Sequence, residues 1–158
     1  MIIDKNTFIE ILSLPEWDER ILSILEYMEL ERPLIVQGEI DCFRTSEKYG
    51  IQMLFDDMCK TEIQKEMENE GNLYLNQISF SKDTPFILPF DLTMKDNYDT
   101  VISKIGKVPD KKSRGSDTSF RWDIEDDNKQ IRFVCEFNDN HLNSLQNFWM
   151  DLRNSLIR

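Results

Sequence analysis

The residues of this chain best suited to nucleophilic or metal chemistry are few. It contains one histidine, His141, and three cysteines, Cys42, Cys59 and Cys135. The cysteines form no CxxC pair and one histidine cannot supply an HExxH motif, so the sequence predicts no zinc site. Cys135 lies on the apolar face of a predicted strand, where a thiol is inert. We therefore expect no cysteine nucleophile, and we place His141 in a surface turn.

Carboxylates are far more numerous and fall mainly in two segments. The candidate residues are Asp56, Asp57, Glu62, Glu66, Glu68 and Glu70 in the first segment, and Asp123, Glu125, Asp126 and Asp127 in the second. The second segment lacks the ligand spacing, central glycine and terminal glutamate of a calcium-binding EF-hand, so no metal is expected. A catalytic carboxylate pair would need an apolar cleft that separates the two pKa values, and the sequence gives no sign of one. We predict that these residues bind a basic protein partner through charge complementarity.

The glycines exclude the common nucleotide-binding loops. Gly38, Gly50, Gly71, Gly106 and Gly115 are too far apart for a GxGxxG fingerprint or a P-loop. No GxSxG nucleophile elbow occurs either. We therefore expect a protein that is not an enzyme and that uses no cofactor.

The composition is typical of a folded domain with a strong negative charge. Hydrophobic side chains make up 40% of the 158 residues, enough to build one core in a single domain over residues 1–158. The net charge of −11 disfavours nucleic acid and anionic membranes as partners, because phosphate binding depends on cationic side chains. No apolar run is long enough to span a membrane, and the N-terminus lacks a signal-peptide pattern. The expected location is cytoplasmic.

In the first half of the chain, apolar spacing predicts two helices followed by three strands. The first helix starts near Asp4, and the second starts with a capping box formed by Ser13 and Glu16. The strands are expected at about residues 36–42, 51–55 and 73–81. A hairpin loop at 46–50 joins the first two strands. Residues 58–72 are compatible with a short helix or a long loop.

The second half begins with the clearest helix of the chain. It starts at Asp96 and is ended by Gly106. Apolar and polar residues then alternate over residues 120–125 and 131–137, with an Asp/Asn turn between them. This pattern predicts a β-hairpin.

The C-terminal segment is ambiguous. Leu142, Leu145, Trp149, Leu152 and Leu156 are spaced like one face of a helix. An apparent repeat favours a strand instead: residues 50–57 and 75–78 resemble residues 130–139 and 142–145. We favour the helix, because the apolar stripe continues to its end. The expected fold class is α+β, an antiparallel sheet of about five to six strands with helices packed on one face. Internal duplication of a hairpin unit is left open.

The tryptophans are divided between the core and an undecided position. Trp17 and Trp122 lie on apolar faces and are predicted to be buried. Trp149 cannot be placed while its element is undecided. If it is exposed beside an acidic patch, we expect it to anchor an interface.

The order of segments over about residues 50–149 resembles a known family. It carries Leu88-Pro89-Phe90-Asp91-Leu92, a helix ending in Ile105-Gly106-Lys107-Val108-Pro109, a strand with Arg121-Trp122, and Phe137 before an Asn/Asp turn. This series is similar to immunity proteins of bacterial polymorphic-toxin and contact-dependent growth-inhibition systems. The resemblance implies an inhibitor that binds a cognate toxin domain and blocks its active site. Many such toxins are nucleases with basic clefts, which an acidic surface would complement.

A second resemblance is kept as an alternative. A small acidic chain with the order helix, three strands, helix, two strands, helix is similar to class I type III secretion chaperones, which bind effector segments as dimers. This order requires a helix at residues 142–156. A strand there favours the immunity family.

Overall fold

The strands of this protein form one antiparallel sheet. The computed structural model describes residues 2–34, 41–67, 72–112, 118–126, 129–138 and 144–153. Within these residues, the elements are α1 (Thr7–Ile11), α2 (Glu19–Tyr27), β1 (Asp41–Ser46), β2 (Ile51–Asp56), α3 (Glu62–Glu66), β3 (Tyr74–Ser81), α4 (Tyr98–Ile105), β4 (Lys111–Lys112), β5 (Ser119–Asp126), β6 (Lys129–Phe137) and β7 (Leu145–Leu152). The sheet order is β1-β2-β3-β7-β6-β5-β4.

The predicted α+β class is confirmed. Within the described residues the sheet has seven strands rather than five to six, because β4 was not expected as a strand and β7 was only the less favoured alternative to a helix.

Two three-stranded meanders meet in the middle of the sheet. The first is β1-β2-β3, the second is β5-β6-β7, and antiparallel pairing of β3 with β7 joins them. Each inner hairpin carries a bulge: Asn76 has no partner on β2, and Gln146 has none on β6. The arrangement is compatible with duplication of a hairpin unit, which stays a prediction.

The C-terminal segment is a strand, so the favoured helix over 142–156 is wrong within the described residues 144–153. The bulge at Gln146 explains the misleading spacing. Leu145 and Phe148 are three residues apart, yet both are buried, because the extra residue shifts the alternation by one. Apolar residues that are first three positions apart and then alternate along the strand resemble the apolar stripe of a helix.

One face of the sheet forms the core with the helices. Its central row of paired residues is fully buried and consists of Met53, Ile78, Met150, Phe133 and Trp122. Phe8 of α1 packs edge-on against Phe80 of β3, with ring centroids 4.8 Å apart. Ile21 of α2 and Val101 of α4 are buried in the same cluster. The core therefore holds α1, α2 and α4 against a single face.

The start of α2 differs from the expected one. Asp18, not Ser13, caps the helix: its carboxylate accepts a hydrogen bond from the Arg20 backbone N–H at 2.9 Å. Ser13 and Glu16 instead donate their backbone N–H groups to Leu75 and Leu73, each at 2.8 Å. The predicted capping box is therefore wrong, because this segment pairs with the start of β3. Trp17 precedes the helix and is 42% exposed, so its predicted burial is also wrong.

The elements of the second half lie close to their expected places. α4 ends at Gly106, whose φ of 89° is the left-handed conformation that glycine favours. Its cap is Asn97 rather than Asp96; the Asn97 side chain accepts from the Thr100 N–H at 2.8 Å. The β5–β6 hairpin is confirmed. No helix in the described ranges is long and apolar enough to cross a membrane.

Candidate functional site

The sheet face opposite the core, here called the open face, is polar. Its two central rows, read across the paired strands, are Thr45, Gln52, Ser79, Trp149, Val134 and Arg121, and Phe43, Leu54, Gln77, Asp151, Arg132 and Asp123. Each of these residues is half-buried or exposed, whereas the core row on the other face is fully buried. Strand alternation therefore separates a packed face from a face that solvent reaches.

The structure brings the two predicted acidic segments to one end of the sheet. β2 and β5 run in the same direction and end at Asp56 and Asp126. They are four strand positions apart in the sheet order, which corresponds to ~19 Å at ~4.8 Å per strand. The exposed carboxylates at this end, among the described residues, include Asp41, Asp57, Glu62, Glu66, Glu125 and Asp126, and Lys65 is the exposed cation on α3. We call this surface the acidic end; Glu68, Glu70 and Asp127 lie outside the described residues.

Asp56 belongs to the interior rather than to this surface. It is 7% exposed and accepts hydrogen bonds from the Asn76 amide and, at 3.0 Å, from the Met58 N–H. Lys60 is 3.6 Å from its other oxygen. The carboxylate therefore fixes the turn that leaves β2, and it has little surface left for a partner.

A buried polar cluster holds α3 in place. Gln64 is fully buried, and its side-chain NH₂ donates to the Ser13 carbonyl at 3.0 Å and to the Asn76 side-chain oxygen at 2.8 Å. Its Oε1 accepts from the Lys60 N–H at 2.6 Å. Thr61 caps the helix by accepting from the Gln64 N–H at 3.1 Å. Of the two alternatives for residues 58–72, the described residues 58–67 contain the short helix, and Glu62 and Glu66 stand on this anchored element.

Asp123 is also internally paired, and it is surrounded by arginines. Its carboxylate lies 3.2 Å from Arg132, 3.5 Å from Arg121 and 3.8 Å from Arg153. Its backbone N–H donates to Asp110 at 2.6 Å. That bond, with the nearby Lys107 ammonium, lowers the pKa of Asp110 below its usual value. The middle of the open face is therefore a mixed charge network, and within the described part of this segment the exposed carboxylates are Glu125 and Asp126.

Asp151 is a charged residue of the open face that the sequence did not identify. Its cross-strand neighbours are Gln77 and Arg132, and burial raises the pKa of its carboxyl above the usual value, although Arg132 opposes this. Within the described part of the chain, its side chain makes no hydrogen bond or ion pair. Once residues 145–152 are recognised as a strand, the alternation of side chains places Trp149 and Asp151 on one face of the sheet and the buried Phe148 and Met150 on the other face.

The described residues contain no cluster of metal ligands. No group of three or more His, Cys, Asp or Glu side chains could hold a metal ion within the described ranges. Cys135 is fully buried, and burial raises the pKa of its thiol, so the thiol stays protonated at neutral pH. His141 lies outside the described residues.

The fold and this surface define an α+β protein whose sheet has one covered and one open face, with an acidic end. Comparison of the chain with protein-family models, with curated proteins and with solved structures finds no match.

Proposed function

We propose that the protein is an immunity protein that binds a cognate bacterial toxin domain and occludes its active site. The observation that carries this proposal is the acidic end. Two segments that are far apart in sequence lie at the same end of the sheet, and together with Asp41 they present six exposed carboxylates, whereas Lys65 is the exposed cation within the described parts of these segments. Such a surface complements a basic cleft, including that of a nuclease, and no catalytic role is proposed for it.

The charge of the acidic end gives the proposed binding a physical mechanism. A concentrated patch of one sign attracts a partner of the opposite sign over about a Debye length, ~10 Å at moderate salt, and so raises the association rate. The rigid attachment of α3 through Gln64 keeps its carboxylates in place before the partner arrives. Less conformational entropy is then lost on binding. The inhibitor would occlude the active site sterically while its charge speeds encounter.

The alternative chaperone function is less well supported by the element order. That resemblance needs a helix over residues 142–156, whereas residues 145–152 form a strand inside the sheet. A cytoplasmic location, with neither nucleic acid nor membrane as a partner, belongs to the immunity proposal.

Affinity capture combined with a growth assay tests the proposal. The full chain is used as bait in lysate of the source cells, and bound proteins are identified by mass spectrometry. We expect one basic protein to stay bound in ~150 mM salt, to stop growth when expressed alone, and to be neutralised when this chain is co-expressed. A captured protein that is harmless, or whose toxicity this chain does not relieve, would reject the immunity function.

Two charge variants with the same net charge locate the interface. Asp57→Lys with Glu66→Lys reverses two exposed carboxylates of the acidic end, and Glu26→Lys with Glu31→Lys reverses two exposed carboxylates elsewhere. We expect only the first pair to weaken capture and growth rescue. Equal behaviour of the two pairs would mean that general acidity, not the acidic end, matters.

A further inference from the structure

A groove opens on the open face at the end of the sheet opposite the acidic end. Its volume is about 590 Å³, and the side chains that line it include Thr45, Gln52, Ser79, Ser81, Asn147 and Trp149. Glu47 and Asp83 complete its wall from the β1–β2 turn and the turn after β3. Four strands therefore build the groove, and two turns border it.

Some polar groups of this groove make no side-chain hydrogen bond within the described residues, although the Gln52 amide donates to the Thr45 hydroxyl at 3.1 Å. Within the described residues, the Trp149 indole N–H has no hydrogen-bond acceptor, whereas the buried Trp122 indole N–H donates to the Lys107 carbonyl at 2.9 Å. The Asn147 amide and the Ser79 hydroxyl likewise make no side-chain hydrogen bond with described residues. A half-buried tryptophan with a free donor, next to free amide and hydroxyl groups, is typical of a recognition site.

The charge of the groove indicates the kind of group that it binds. Glu47 and Asp83 are exposed and form no ion pair with any described residue. The nearby Lys48 ammonium lies over the Tyr49 ring, 5.3 Å from its centroid. Two unpaired carboxylates beside an indole ring match a cation, because the carboxylates supply charge and the ring face supplies a cation–π contact.

The wall of the groove is rigid at its border. Gly50, with φ of 58°, packs so tightly on the next turn that a Cβ would lie 2.7 Å from the Ser81 Oγ and 2.8 Å from the Thr84 N. The Ser81 N–H donates to the Gly50 carbonyl at 2.9 Å. The two turns that carry Glu47 and Asp83 are thus fixed against each other, which preorganises the site.

We propose that the Trp149 groove binds a lysine or arginine side chain that a partner protein presents on a protruding loop. The choice of a protein partner rests on the proposed function. A basic partner that contacts the acidic end would also supply cationic side chains to this second site. Trp149 then anchors the interface, since tryptophan is among the residues that most often dominate binding energy.

A peptide titration tests the groove without the toxin. Capped Gly-Arg-Gly and Gly-Lys-Gly peptides are added to the ¹⁵N-labelled protein, and the indole N–H resonances are followed by NMR. We expect a saturable shift of the Trp149 resonance with a dissociation constant on the order of millimolar, while the Trp122 resonance stays in place. Glu47→Gln with Asp83→Asn should reduce the shift. No movement of the Trp149 resonance, or an equal movement with capped Gly-Gln-Gly, would overturn the proposal.

The captured partner provides the second test. Trp149→Ala should weaken its binding at least ~30-fold, and Val108→Ala, a change at an exposed apolar residue outside the groove and the acidic end, should have little effect. Loss of binding in the acidic-end variant with full binding of Trp149→Ala would reject the groove and leave the immunity function standing. If no toxin is captured, the immunity function fails, and the peptide titration still decides whether the groove binds cations.

Discussion

The two faces of the sheet use the same kinds of residue for different purposes. On the covered face, Trp122 is fully buried and its indole N–H is hydrogen-bonded. On the open face, Trp149 and Asp151 are half-buried, and within the described residues neither the Trp149 indole N–H nor the Asp151 carboxylate has a hydrogen-bond partner. The tryptophan of the covered face is hydrogen-bonded and stabilises the fold. On the open face, Asp123 pairs with arginines, whereas Trp149 and Asp151 have no such partner among the described residues, as is common at binding surfaces.

The largest expected difference between the faces is in stability. Trp122→Ala should reduce the free energy of unfolding by about 3–5 kcal/mol, because it leaves a cavity in the core and an unpaired Lys107 carbonyl. Trp149→Ala should cost about 1 kcal/mol or less. Urea denaturation of both variants measures the two values. Similar losses would mean that Trp149 is a structural residue, and the comparison of the faces would fail.

A smaller effect is expected where α3 is anchored. Asn76→Ala removes the partner of both Gln64 and Asp56 and should cost about 1–3 kcal/mol, because both groups stay buried. The neighbouring Gln77→Ala, on the open face, should change stability by about 0.5 kcal/mol or less. Hydrogen exchange of α3 amides should also speed up in Asn76→Ala. Unchanged exchange would show that the cluster does not hold the acidic end.

The smallest effect concerns the pH dependence of stability. Burial raises the pKa of Asp151 in the folded state above its ordinary value of 3.8. The ionised group therefore destabilises the fold, fully so above the raised pKa, and this cost disappears as the pH falls below the ordinary value. Asp151→Asn should melt higher than the natural protein at pH 7, and the difference should shrink toward pH ~4. Asp57→Asn, at an exposed carboxylate, serves as control. An Asp151→Asn variant that melts lower at pH 7 would contradict the account.

Much of the fold follows from local patterns. The β5–β6 hairpin and α4 were predicted because alternation, an Asp/Asn turn and a terminal glycine act within a few residues. The C-terminal strand was kept only as the less favoured alternative because the bulge at Gln146 breaks the alternation, and a bulge depends on pairing with β6. The start of α2 was missed for a similar reason: Ser13 and Glu16 pair with β3, about 60 residues away in sequence.

The candidate site was predictable only in its composition. The acidic segments could be named from the sequence, but their meeting at one end depends on strand order, which the sequence did not specify. Asp56 and Asp123 were grouped with exposed acids, although Asn76 and three arginines bind them internally. The prediction that Trp149 anchors an interface depended on its being exposed. Its exposure depends in turn on whether the segment is a strand, and the sequence left that undecided.

The most direct test of the account is the rate at which the captured toxin associates with the protein. Stopped-flow measurements would compare the natural protein, the Asp57→Lys/Glu66→Lys variant and the Glu26→Lys/Glu31→Lys variant at ~20 mM and ~200 mM salt. We predict that the acidic-end variant associates at least ~10-fold more slowly at low salt, that the control slows less than ~2-fold, and that the difference shrinks at high salt. Equal rates for all three proteins, or equal slowing of both variants, would contradict the claim that the acidic end guides binding.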